Sequence, residues 1–98
     1  MTLRHSEEVT LRAVESFLQE ILWEEGAHGT EIMRMKGLVS LADKQVIIQG
    51  VHDTYDTYQR PTKSDTDSLQ GCVVVLIGRN LQKDAVMNLF HKHVVNQF

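Results

Sequence analysis

From Leu11 the apolar side chains fall at Leu11, Val14, Leu18, Ile21 and Leu22, with Phe17 widening the stripe. That is the 3.6-residue spacing of an amphipathic helix, and Glu15, Gln19, Glu20 and Glu24 are left for the water side. Thr10 supplies a side-chain acceptor for the first amides and Gly26 a stop, so the pattern predicts a helix over 11–24. Trp23 lies out of phase with the stripe and is expected to pack on the loop that follows. Residues 1–5 read as a short strand ahead of this helix.

Beyond the Gly26–Gly29 loop the period changes to two. Met33, Met35, Gly37, Val39 and Leu41 alternate with Arg34, Lys36 and Ser40, the pattern of a strand with one face in the core and one in water. Residues 42–44 read as a turn, and 45–58, with Val46, Ile47, Ile48, Val51, Tyr55 and Tyr58, as the long second arm of an antiparallel hairpin. Residues 59–70 hold the only proline, Pro61, with Thr62, Ser64, Asp65, Thr66, Asp67 and Ser68, and read as a mobile loop. Cys72–Ile77 is apolar at every position and valine-rich, the mark of a central strand covered or closely flanked, ended by Gly78. Val86, Leu89, Phe90 and Val94 share one helical face, so a second helix is predicted over about 83–95. Leu81 and Val86 are placed as a hydrophobic staple, and Gln82, a weak capping residue, stands at its start. The expected architecture is α+β, a small antiparallel or mixed sheet of three to four strands with two helices, in the order (β)αβββα.

Size changes the picture only by limiting it. Ninety-eight residues, 42% of them hydrophobic, suit one domain. The net charge of −3 supplies no broad positive field for a phosphate backbone, which argues against nucleic acid as a partner. The longest apolar run is far short of the roughly 18–20 residues that span a bilayer, so no membrane partner and a cytoplasmic location, with a nuclear one also open, are expected.

The chemistry is notable for what it lacks. No Gly-Lys pair is present to end a phosphate-binding loop, no Gly-x-Ser-x-Gly elbow occurs, and the single cysteine, Cys72, cannot build a thiolate zinc site. Cys72 is expected to be a buried strand thiol. No catalytic residue and no cofactor-binding residue are assigned. His91 and His93 resemble a ligand pair, but positions two apart on a helix project about 200° from each other, so one ion could not meet both unless the segment were extended. His93 falls within the stripe of Leu89, Phe90 and Val94, and packing is its simpler role. His52 is expected on a strand face with Val46 and Ile48, where Gly50 leaves room for a close approach. A direct zinc module using His52, His91 or His93, with Asp65 and Asp67 of the loop, is the alternative reading. Arg34 and Lys36 on one strand face, with Arg79 beyond the apolar strand, form a candidate ridge for an anion or a partner.

Four stretches in order carry a resemblance: Leu22-Trp23-Glu24, then 31–40 (EIMRMKGLVS), 46–52 (VIIQGVH) and 75–81 (VLIGRNL). They resemble the C-terminal domain of CobW-type GTPases, most closely that of the zinc-regulated GTPase metalloprotein activators, over about residues 11–90. The resemblance implies that the P-loop GTPase domain, with its GTP, Mg and Zn, lies outside these residues. It also implies that this domain packs on the GTPase domain and helps to recognise or release a client zinc metalloprotein. Arg34, Lys36, His52 and Arg79 are the candidates for that surface. Gln82 stands where the family often has Asp, and the loop lacks the family's common Trp.

Overall fold

The computed structural model describes residues 1–23, 30–41, 44–52, 54–61 and 71–96. Five strands and two helices follow one another as β1 (Thr2–His5), α1 (Leu11–Trp23), β2 (Glu31–Ser40), β3 (Lys44–Val51), β4 (Thr54–Pro61), β5 (Gly71–Arg79) and α2 (Lys83–Phe90). The strands form one sheet in the order β1-β5-β2-β3-β4, with every neighbouring pair antiparallel. Because β1 and β2 both run against β5, they run parallel to each other, and α1 is the crossover between them.

The helix positions follow the spacing. Thr10 Oγ1 accepts from the Ala13 amide at 3.1 Å, capping α1 as its sequence suggests. Gln82 precedes α2 without a side-chain cap bond. Its backbone N–H instead donates to Thr30 Oγ1 at 3.0 Å, tying the start of the helix to the residue that precedes β2. The helix does not run unbroken to 95. It widens into a π-turn over His91–Val95, closed by the Asn96 amide donating to the His91 carbonyl at 2.9 Å.

One core joins sheet and helices. Val14, Phe17, Leu18 and Ile21 of α1, with Val86 and Phe90 of α2 and Val94 of the π-turn, meet Val39, Val46, Ile48, Val74 and Leu76 on one side of the sheet. The alternate side chains face away from the helices, and among the described residues no helix covers them. That is why β5, apolar on both faces, carries buried Val74 and Leu76 but leaves Ile77 58% exposed.

The sheet departs from expectation in two places. The segment 45–58 is not one arm but two strands, so the sheet has five strands rather than three or four, and the order is βαββββα. The break falls at His52, whose φ of 56° is the left-handed conformation that reverses a chain over two residues. His52 is therefore an exposed turn residue and not a member of the Val46–Ile48 face. The hydrophobic pattern conceals this turn because Val51 and Tyr55 keep the alternation going across it. The strand content also extends to Pro61 and to Arg79, past the expected ends at 58 and Gly78.

Glycines make two close approaches possible. A Cβ at Gly50 would lie 2.8 Å from Met35 Cγ, consistent with the room expected there. A Cβ at Gly78 would lie 1.9 Å from the Glu31 carbonyl oxygen, next to the irregular register between Ile32 and Arg34. The Gly26 stop, the side chain of Trp23, the turn at 42–43 and residues 62–70, including Asp65 and Asp67, lie outside the described residues. No described helix is long and apolar enough to cross a membrane.

Candidate interaction face

The uncovered side of the sheet is built by register. Arg34 stands between Ile77 on β5 and Val51 on β3, and Lys36 between Val75 and Gln49. In the next row Leu38 stands between Val73 and Ile47, with Arg4 of β1 and Tyr58 of β4 at the two ends. The floor is thus apolar and the long cationic side chains rise from it. Val51, Tyr58 and Ile77 are each more than half exposed.

A groove of about 450 Å³ runs across this face, lined by Arg34, Lys36, Val51, Tyr58, Val75 and Ile77 among others. A second depression of about 210 Å³ continues on the same side at Arg4, Leu38, Ser40 and Val73. Arg60, on β4, donates from Nε to Gln45 Oε1 at 2.7 Å. Glu31, opposite Arg79, and Asp56 are the acids described on this face, and Arg4, Arg34, Lys36, Arg60 and Arg79 outnumber them on a chain whose total charge is negative. Neither Arg34 nor Lys36 has an ion pair with a described residue. An exposed apolar floor rimmed by cations has the make-up of surfaces that partners cover.

The residues singled out from sequence separate. Arg34 and Lys36 lie together in the groove, and Arg79 is two residues beyond Ile77 on the same strand, exposed. His52 is elsewhere: its amide donates to the Met33 carbonyl at 3.0 Å, and its side chain borders a cleft with Leu22, Thr30 and Glu31. His93 is half-buried with its Nε2 on Glu20 Oε2 of α1, and Lys92 Nζ lies 3.9 Å from the other carboxylate oxygen. His91 is exposed. Among the described residues no three His, Cys, Asp or Glu side chains come together as a metal site. Cys72 is buried, and burial pushes its thiol up to about 11, the opposite of an activated thiolate.

Sequence reasoning missed the apolar half of the face. Val51, Tyr58, Val75 and Ile77 looked like core positions, and only the one-sided helix layer leaves them in the open. The signal available was Arg34 and Lys36 alternating with core residues, which marks the polar face of β2 but not its neighbours.

The family model of the cobalamin synthesis protein cobW C-terminal domain matches residues 1–94. This chain belongs to that family. The CobW C-terminal domain seen here is 32% identical to zinc-regulated GTPase metalloprotein activator 1 of Saccharomyces cerevisiae, over 92% of the chain and 24% of that protein. It spans about a quarter of the relative's length. Its fold is that of the corresponding part of the Zn(II)-bound YjiA GTPase from E. coli, with a TM-score of 0.73 at 19% identity over 95% of this chain and 28% of that one. A Zn(II)-bound triple mutant of YjiA gives a TM-score of 0.72 at the same identity.

Proposed function

We propose that this CobW C-terminal domain is the non-catalytic regulatory and interaction domain of a GTP-dependent zinc metallochaperone of the cytoplasm. Its open sheet face docks the GTPase domain and so couples nucleotide state to release of zinc to a client metalloprotein. The observation that carries this reading is the apolar floor under Arg34 and Lys36, left uncovered on a domain whose relatives are several times longer. Covering that floor removes apolar area from water, while Arg34 and Lys36 select an acidic partner surface. GTP, Mg and Zn are then ligands of the GTPase domain. Arg79 extends the same surface, and His52 lies off it, at the end of the domain.

Calorimetric titration of the domain with the GTPase portion of the zinc-regulated activator, loaded with GTP or GDP, tests this. Binding that depends on the nucleotide and weakens on Arg34→Glu and Lys36→Glu is expected. Equal, unaltered binding by the double variant would remove the open face from the interface.

A further inference from the structure

The edge formed by β4 borders the open face and carries an inference that does not rest on the function proposed above. We infer that two copies of this chain join edge to edge through β4, antiparallel and in one register, with Tyr58 facing Tyr58 across a two-fold axis.

The backbone phase comes first. A two-residue connection joins Val51 to Thr54, which makes that pair hydrogen-bonded, and bonding then alternates along β3–β4. Asp56, Tyr58 and Arg60 fall on bonded positions, and Pro61, opposite Lys44, falls on a non-bonded one, as a residue without an N–H requires. The amides and carbonyls of Thr57 and Gln59 therefore point out of the sheet, where among the described residues no further strand lies. Both side chains are exposed.

The side chains select the register. When β4 meets its own copy about Tyr58, Thr57 pairs with the partner copy's Gln59, and each pair exchanges two backbone hydrogen bonds with outward groups on both sides. Asp56 then stands opposite Arg60 of the other copy on the open face, and the two-fold axis repeats this ion pair. The guanidinium bonds Gln45 through Nε, which leaves its terminal nitrogens for the carboxylate. A shift of two residues either way would abandon both ion pairs, and a shift of one would point the outward groups away from each other. Over Thr54–Arg60 the edge has no lysine, no bulge and no proline; Pro61 limits pairing only at its end, and the two charges there, Asp56 and Arg60, are the ones that the two-fold pairing joins.

Sedimentation equilibrium of the 98-residue chain over about 10 µM to 1 mM, the range of modest affinities, is the test. A monomer–dimer equilibrium is expected. D56R or R60D alone should weaken it at least about tenfold, and D56R/R60D together should restore it. Thr57→Pro removes only an outward N–H, so it should give a monomer with an unchanged circular dichroism spectrum. Tyr58→Cys should cross-link into a covalent dimer under oxidised glutathione, since opposed non-bonded positions bring Cα atoms to about 4.5 Å. A chain that stays monomeric throughout, a Thr57→Pro variant that still dimerises, or a dimer in which Tyr58→Cys does not cross-link would each overturn the inference.

Discussion

Phe17 of α1 and Phe90 of α2 meet edge to face, with ring centroids 5.4 Å apart and planes inclined by 80°. Both are essentially inaccessible to water. Since α2 is short and lacks a side-chain cap, this contact is a principal tie between the two helices, and through them between the ends of the chain and the sheet.

Truncating either ring should therefore be costly. Phe17→Ala or Phe90→Ala is expected to lose about 3–5 kcal/mol, a large part of the stability of a domain this size. A double-mutant cycle by urea denaturation should return a coupling of about 0.5–1.5 kcal/mol; no coupling would show the two rings packing independently.

The start of α2 should be improvable. Gln82 contributes no cap bond, so Gln82→Asp is expected to stabilise the domain by about 1 kcal/mol, read as a Tm rise of roughly 4–8 °C. An unchanged or lower Tm would mean that the Thr30 tie already satisfies this end.

Gly78 should tolerate no side chain. A Cβ there would overlap the Glu31 carbonyl, which belongs to a backbone that cannot swing aside as a side chain could. Gly78→Ala is expected to cost about 1–3 kcal/mol and to disturb amide signals at the Glu31–Arg34 end of β2, checked by heteronuclear spectra.

How much of this was legible beforehand differs by element. The start of α1, marked by the Thr10 cap, and the inward faces of α1, β2 and β5 follow from the sequence pattern, because a stripe of apolar residues has one way to be buried. The β3–β4 turn does not, since His52 takes a positive φ with no glycine beside it and the alternation of Val51 and Tyr55 passes straight through. The binding face was half legible. Arg34 and Lys36 could be read from one strand, but which side of Cys72–Ile77 is covered depends on where two helices settle, and that is a tertiary fact. The widening of the last helix into a π-turn, which accompanies the His93 contact with Glu20, left no mark in the spacing.

Cys72 gives a pH prediction. Its thiol ordinarily ionises near 9 and in the fold near 11, so between these values the unfolded chain loses a proton that the folded one keeps. Stability is fully present below about pH 9 and falls as pH rises toward 11, by an amount on the order of 1–2 kcal/mol once residual solvent access is allowed for. Cys72→Val should flatten that part of the pH profile of urea unfolding. Equal slopes in both proteins would mean that the buried thiol is not the source.

The central claim is that the helix-free side of the sheet is the docking surface. Methyl-labelled domain titrated with the GTPase portion of the zinc-regulated activator reads this directly by nuclear magnetic resonance. Shifts or broadening at Ile47, Val51, Val75 and Ile77, with Val14, Leu18, Val86 and Val94 unmoved, are the predicted result. Perturbation confined to the helices, as at the exposed Met87, would contradict the account.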